Sequence, residues 1–257
     1  MAITHTASVN GMEMYYEVHG QSAPQGEPLV LLHGFTGSSA DWKLLFPDPP
    51  AGFQLIIPDL RGHGRSTNPS MQFTHRQAAL DVFALLEYLG VEHFKGIGIS
   101  GGGNTLLHMA TQQPSRIDTM VLVSATMYFA PQTRAIMAQF TAESRSADEW
   151  RIMRQSHHHG DDQIRALWAQ AQAFKDSYDD MNFTPPHLSV ISARTLIVYG
   201  DRDPLYPANM ALEMYSAIPH SALWIIPNAG HTPVFGEMSG RFVETAITFL
   251  RGEGTQR

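Results

Sequence analysis

One serine in this sequence stands in a setting suited to nucleophilic chemistry. Ser100 is the central residue of Gly98-Ile99-Ser100-Gly101-Gly102, directly after the apolar run 94–99 and directly before a helical stretch. A Gly-x-Ser-x-Gly pattern between a strand and a helix is typical of a nucleophile carried on a sharp, strained turn. The glycines are needed because a Cβ at those positions would collide with the neighbouring strand and helix. Serine alone is a weak nucleophile, so the prediction requires a base elsewhere in the chain.

Two other interpretations of this segment are less favourable. Ser100 has the residue type of a helix N-cap, but its place between paired glycines after a buried strand favours the nucleophile. The segment also matches Gly96-x-Gly98-x-x-Gly101, the spacing of a dinucleotide-binding loop. In that motif the glycines follow the strand and an acidic residue ends the next strand. Here Gly96 falls within the strand, and no acidic residue ends the next strand at Val123.

The elements around this turn predict a mostly parallel sheet. Short continuous apolar runs, typical of strands buried on both faces, occur at residues 29–32, 53–57, 94–99, 120–123, 196–199 and 222–226. Two further strands are predicted at 6–9 and 13–19, and amphipathic helices at 74–89, 104–113 and 240–250. Thr74 and Gln77 have the spacing of a capping box at the start of the first helix. Strands alternating with helices predict an α/β fold with helices on both faces of the sheet.

One segment interrupts this alternation. Residues 127–186 contain no convincing strand, only helical pieces at 133–140, 147–156 and 163–175. We therefore predict a core domain formed by 1–126 and 187–257, with 127–186 as a helical cap over the carboxyl edge of the sheet, where α/β proteins bind ligands. The alternative is a helical excursion packed against the side of the sheet.

Five short motifs occur in an order that resembles the α/β-hydrolase superfamily, in its cap-bearing, esterase-like form. They are His33-Gly34-Phe35, Asp59-Leu60-Arg61-Gly62-His63-Gly64-Arg65-Ser66, the Ser100 turn, Gly200-Asp201-Arg202-Asp203 and Gly230-His231. The resemblance extends over essentially the whole chain. It implies an α/β-hydrolase fold with a helical cap insertion and a serine hydrolase activity.

The resemblance also implies roles for individual residues. The order nucleophile, acid, histidine assigns Ser100, Asp203 and His231 as the catalytic triad, and the family spacing favours Asp203 over Asp201 as the acid. The backbone N–H groups of Phe35 and Gly101 are expected to form the oxyanion hole. The side chain of His33 and the segment 59–66 are expected to be structural.

A substrate pocket is predicted next to the triad. Apolar side chains that follow the strand at 120–123, lie on the cap or lie near His231 are its candidate lining: Met127, Tyr128, Phe129, Trp168 and Val234, together with Phe35 and Phe174. Residues of these types are more often ordinary core, so the lining depends on the placement of the cap.

Composition and the remaining motifs argue against several other classes of protein and kinds of site. The net charge of −7, without a long basic run, makes nucleic-acid binding unlikely. No N-terminal signal or membrane-spanning stretch is visible, which predicts a cytoplasmic protein. His157-His158-His159 with Asp161 and Asp162 would be an unfavourable metal site because adjacent side chains diverge, and the chain has no cysteine; a solvated cap turn is expected. We expect no metal and no cofactor.

The predicted reaction is hydrolysis of a small to medium carboxylic ester through an acyl-enzyme on Ser100. Lactone hydrolysis, hydrolysis of a carbon–carbon bond and cofactor-free perhydrolysis use the same triad and stay open, as does a triad-bearing ligand sensor that recruits a partner. Haloalkane dehalogenases and epoxide hydrolases carry an aspartate nucleophile, which Ser100 excludes. The expected partner is a small ester; the oligomeric state is not specified by the sequence.

Overall fold

A central eight-stranded sheet organises the chain in the computed structural model, which describes residues 3–20 and 26–253. Its strands are β1 (Ile3–Val9), β2 (Met12–Gly20), β3 (Glu27–Leu32), β4 (Phe53–Pro58), β5 (Phe94–Ile99), β6 (Ile117–Val123), β7 (Arg194–Gly200) and β8 (Ser221–Ile226). They are ordered β1-β2-β4-β3-β5-β6-β7-β8. The pairs β1–β2 and β2–β4 are antiparallel, and all the others are parallel. The predicted α/β fold with a mostly parallel sheet is confirmed.

Burial explains why the apolar runs form these strands. The last four residues of β3 and of β5 are buried on both faces of the sheet, as continuous apolar runs require. β8 differs, because five of its six residues are only partly buried. It lies at the end of the sheet, so one of its sides has no neighbouring strand.

Helices cover both faces of the sheet. They are α1 (His75–Tyr88), α2 (Gly101–Gln112), α3 (Pro131–Met137), α4 (Ala147–Ser156), α5 (Asp161–Ala173), α6 (Pro185–Leu188), α7 (Ala208–Ala217) and α8 (Ser239–Arg251). Side chains of α1, α2 and α7 share one apolar core with the sheet. Trp42, on a short 3₁₀-helix, and Phe242 of α8 belong to the core on the opposite face. None of the helices described here has the length and apolar character needed to cross a bilayer.

The segment between β6 and β7 is helical, apart from an isolated bridge between Tyr128 and Asn182. It carries α3 to α6, and the predicted boundary between residues 186 and 187 falls inside α6. Cap side chains of this segment, Phe129 and Phe174 among them, pack into the core that α1 and α2 share with the sheet. The segment therefore lies on the same face as the helix that follows Ser100.

The parallel strands place the candidate site at one edge. The carboxyl ends of β3, β5, β7 and β8 lie together because these strands run in the same direction. From β3 the chain goes to β4 on one side, and β5 is then added on the other side of β3. The direction in which successive strands are added to the sheet therefore reverses between β3 and β5. In open α/β sheets this switch point is where ligands bind.

Candidate active site

Ser100 lies on the turn between β5 and α2 with a strained backbone, φ 50° and ψ −114°. Its N–H donates to the carbonyl of Val123 on β6 over 2.8 Å. Two glycines make the turn possible. A Cβ on Gly98 would lie 2.5 Å from the carbonyl oxygen of Gly102, and a Cβ on Gly102 would lie 2.1 Å from that of Leu32. No residue larger than glycine fits at either position. The close packing of these glycines allows the turn that holds Ser100 at the end of the strand, in a backbone conformation that residues other than glycine rarely adopt.

A hydrogen-bonded chain joins Ser100 to a histidine and a carboxylate. The Nε2 of His231 lies 2.8 Å from the Oγ of Ser100, and its Nδ1 lies 2.7 Å from the Oδ2 of Asp203. The side chain of Asp203 is fully buried, and its Oδ1 accepts hydrogen bonds from the N–H groups of Leu205 and Tyr206 over 2.8 and 2.9 Å. The carboxylate is therefore fixed on one side by backbone donors. With its other oxygen it holds the proton of the imidazole on Nδ1, which leaves Nε2 free to accept the serine proton.

The loops that carry the acid and the histidine are packed tightly together. A Cβ on Gly200 would lie 2.2 Å from the carbonyl oxygen of Ala229, so this position also requires glycine. Arg202 donates its N–H to the carbonyl of Ala229 over 2.9 Å. The exposed Asp201 accepts from the N–H of Ala229 over 3.2 Å, whereas the hydrogen bond of His231 goes to Asp203. Of the two competing aspartates, Asp203 is thus the one that the structure places against the histidine.

The backbone N–H groups of Phe35 and Gly101 belong to two segments that meet beside the serine. A Cβ built on Gly101 would be 3.0 Å from the backbone nitrogen of Phe35, which shows how closely the two segments approach. Gly101 begins α2, and the first N–H groups of a helix have no partner within the helix. Among the described residues, neither N–H donates a backbone or side-chain hydrogen bond. Both donors are therefore available to an oxygen atom that carries developing negative charge.

A partly open cavity of about 170 Å³ lies against Ser100 and His231. Most of its wall is aromatic or aliphatic, and its lining is Phe35, Thr36, His75, Ser100, Gly101, Phe129, Met137, Phe140, Trp168, Ala171, Phe174, Leu205, Tyr206 and His231. A second, more open space of about 360 Å³ shares Phe35, Thr36 and Trp168 with it. The site thus has a smaller, mainly apolar space and a larger one, and these three residues line both.

The predicted lining is only partly the observed one. Phe129 and Trp168 line the cavity, but Met127, Tyr128 and Val234 do not. Met127 and Tyr128 line a separate surface depression, where the Tyr128 hydroxyl donates to Glu213 over 3.2 Å. Val234 is fully buried in the core on the opposite face of the sheet. It is three positions from His231 in sequence, but the chain turns into the core between them.

Several cavity residues were missed in the sequence. Leu205 and Tyr206 follow the acid after Pro204, and the ring of Tyr206 stands edge-on to that of His231 at 5.1 Å. Two large apolar residues so soon after the acid were a signal that could have predicted them. Met137 and Phe140 lie on or just after α3, within the helical piece predicted at 133–140. His75 had no such signal, because a polar residue in a first helical turn is ordinary.

The segment 59–66 locks neighbouring loops. Asp59 accepts from the N–H groups of Ser39 and Arg65 over 2.6 and 2.8 Å. Arg61 forms a buried ion pair with Asp81 of α1, with Nε 2.7 Å from Oδ2. These contacts connect the loop after β4 to α1 and to the loop after β3, in the structural role expected for it.

His157 connects the cap to this framework. It is 2% exposed, so the expectation of a solvated turn is wrong at this residue. Its Nδ1 accepts from the N–H of Gly64 over 2.9 Å, and its Nε2 donates to the carbonyl of Thr36 over 3.0 Å. Burial lowers the pKa of His157 to about 4. In residues 3–20 and 26–253 no three His, Asp or Glu side chains are arranged to hold a metal ion.

Comparison with known proteins identifies the family. The sequence model described as the alpha/beta hydrolase fold matches residues 27–162, more than half of the chain. The chain belongs to this family. It is similar to MGS-M2, an alpha/beta hydrolase enzyme from a Medee basin deep-sea metagenome library, with a TM-score of 0.81 at 19% identity over 98% of this chain and 99% of that one.

Two curated relatives differ in the extent of their similarity to this chain. The 2-hydroxy-6-oxo-6-phenylhexa-2,4-dienoate hydrolase of Comamonas testosteroni is 25% identical over 91% of each chain. A soluble epoxide hydrolase of Corynebacterium sp. (strain C12) is 34% identical, but over only 46% of this chain. The chain spans 40% of the length of that epoxide hydrolase. These relatives act on different bonds, so membership of the family establishes a hydrolase of this fold without naming its substrate.

Proposed function

We propose that this protein is a serine hydrolase that cleaves small to medium carboxylic esters through an acyl-enzyme on Ser100. The observation that carries the proposal is the hydrogen-bonded chain from Ser100 through His231 to Asp203, which borders a mainly apolar cavity of about 170 Å³. This cavity is smaller than the roughly 300 Å³ at which pockets for drug-sized ligands begin. It suits a short acyl group better than a long one.

In this proposal the hydroxyl of Ser100 attacks the ester carbonyl while Nε2 of His231 takes its proton. Asp203 stabilises the resulting imidazolium without taking the proton itself. The N–H groups of Phe35 and Gly101 stabilise the tetrahedral oxyanion, each by about 3–4 kcal/mol. His231 then protonates the leaving alcohol, and water, activated by the same histidine, releases the acid from Ser100.

The substrate is then a small ester molecule, with its acyl group in the 170 Å³ cavity and its alcohol in the wider space that shares Phe35, Thr36 and Trp168. No metal or cofactor takes part in these steps. A cytoplasmic location stays a prediction of the sequence.

Hydrolysis of a carbon–carbon bond is a second candidate. It is supported by the similarity over 91% of each chain to the dienoate hydrolase of Comamonas testosteroni. That reaction would need the same serine, histidine and aspartate. The two candidates differ in whether simple esters are turned over many times.

Turnover of p-nitrophenyl esters from acetate to palmitate, by the wild type and by Ser100→Ala, tests the proposal. We expect multiple turnovers that are fastest for short or medium acyl chains and a loss of at least about 10⁴-fold in the variant. One burst of nitrophenol per chain, or none, would reject the esterase. Loss of the dienoate absorbance of 2-hydroxy-6-oxo-6-phenylhexa-2,4-dienoate would then support the second candidate.

A further inference from the structure

A buried histidine outside the proposed triad lines the cavity next to Ser100. His75, the first residue of α1, is 1% exposed. Its ring stacks on Phe174 at 5.1 Å with an angle of 29° between the planes. Both side chains belong to the cavity wall. None of the catalytic steps above uses this histidine.

Asp180 fixes the protonation of His75. Its Oδ2 lies 2.7 Å from Nδ1 of His75 and also accepts the N–H of His75 over 2.8 Å. Its Oδ1 accepts the N–H of Arg76 over 3.0 Å and lies 3.5 Å from Nε2 of His108. Burial alone would raise the pKa of Asp180, but His75, His108 and the Arg76 N–H outweigh it and hold that pKa well below its usual range. Asp180 is therefore an anion that accepts hydrogen bonds only, so Nδ1 of His75 carries a proton directed at its Oδ2.

The other ring nitrogen of His75 is left for the cavity. Nε2 has no hydrogen-bond partner in the part of the chain that the structure describes. His75 lines the cavity, and Nε2 is the ring nitrogen that does not face Asp180. Nε2 is therefore an unpaired polar atom in a mainly apolar wall. Such an atom favours a ligand with a group that can hydrogen-bond to it, since a polar group left unpaired in an apolar site is costly.

We infer that His75 is a specificity-determining residue that selects acyl groups bearing a hydroxyl on their chain. The hydroxyl, which can donate or accept, would hydrogen-bond to Nε2 of His75 while the rest of the acyl chain contacts the aromatic wall. Asp180 acts through His75 as a positioning residue. The inference rests on the proposed function, because it assigns the cavity to the acyl group.

The kinetic test compares p-nitrophenyl hexanoate with its 3-hydroxy and 6-hydroxy derivatives in the wild type, His75→Leu and His75→Gln. We expect the wild type to favour at least one hydroxylated ester by about tenfold in kcat/KM, and His75→Leu to lose that preference. His75→Gln should keep part of it, because glutamine places a hydrogen-bonding atom near the position of Nε2. A purely structural role would lower the rates for all three esters by the same factor and leave the preference unchanged, which would overturn the inference.

A binding test separates this inference from the proposed hydrolysis. Calorimetry with the Ser100→Ala variant compares its affinity for hexanoate and 6-hydroxyhexanoate, and needs no turnover. Tighter binding of the hydroxylated acid that disappears on adding His75→Leu supports the selection even if the wild type hydrolyses no ester. Equal binding of the two acids, together with equal rates for the three esters, rejects it.

Discussion

Acid should destabilise this protein through buried histidines, among them His63 and His157, because burial lowers the pKa of both. The magnitude can be worked out for His157. In the fold its pKa is about 4 because burial penalises the charged ring, whereas an unfolded histidine has a pKa of about 6.5. Between these values the unfolded chain binds a proton that the folded chain does not. The free energy of unfolding therefore keeps this contribution above pH 6.5 and loses it as the pH falls towards 4.

The size of the effect follows from the two pKa values. When the pH falls from 7.5 to 5, protonation of this single residue in the unfolded state lowers the free energy of unfolding by about 2 kcal/mol. One contact opposes protonation in the same direction as burial: Nδ1 accepts the N–H of Gly64, so a second proton on the ring would displace this hydrogen bond. A protonated ring would turn this hydrogen bond into a repulsion between two donors.

Urea unfolding at pH 7.5, 6 and 5 measures the effect in the wild type, His157→Gln and His158→Gln. Glutamine does not titrate. Between pH 7.5 and 5 the free energy of unfolding of His157→Gln should therefore fall by about 2 kcal/mol less than that of the wild type, whatever the difference in stability between the two at neutral pH. His158 is exposed, which makes His158→Gln the matched control and predicts the wild-type slope. Parallel pH dependence of wild type and His157→Gln would refute the reasoning, since other buried groups are the same in both.

Two further pairs of variants test the site and the turn that carries it. Asp203→Asn should lower kcat on a p-nitrophenyl ester by about 10⁴-fold, because the imidazole loses its orientation and its tautomer. Asp201→Asn should keep a kcat within about threefold of the wild type. The opposite pattern would show that Asp201 is the acid. Gly102→Ala should abolish the native fold or cost more than about 3 kcal/mol in thermal unfolding, since its Cβ would lie 2.1 Å from a carbonyl oxygen. Gly240 lies in α8, and a Cβ there would have nothing within 4 Å, so Gly240→Ala should raise the free energy of unfolding by up to about 1 kcal/mol. Equal effects of the two alanines would contradict the claim that close packing requires glycine at position 102.

Most strands were predictable because a short continuous apolar run fits a strand that is buried on both faces of a sheet. β8 is an exception, since five of its six residues are only partly buried. The run 94–99 matches β5 at both ends. α7 was not predicted: Leu212 is 54% exposed and Tyr215 is 45% exposed, so large apolar side chains lie outside the buried stripe and obscure the helical period. Local sequence shows which residues are apolar, but not which of them the tertiary structure leaves uncovered.

Side-chain partners were harder to predict than elements. Thr74 does cap α1, accepting the N–H of Gln77 over 3.0 Å. The side chain of Gln77, however, donates to Asp81 over 3.0 Å. The proposed capping box is thus only half formed, because Asp81 is held in place by Arg61 from a loop that is distant in sequence. The same limit applies to His75, whose partner Asp180 lies 105 residues away.

The hydrogen bond from His157 to the carbonyl of Thr36 restricts how this protein can be re-engineered. Thr36 has a φ of 67°, a left-handed conformation that a threonine adopts only when its surroundings enforce it, and it directly follows Phe35. The cap thus takes part in shaping the loop whose N–H faces the serine. Residues 127–186 are therefore not an exchangeable module: a cap grafted from another family member, however well it suits a new substrate, must also bring a donor for the Thr36 carbonyl.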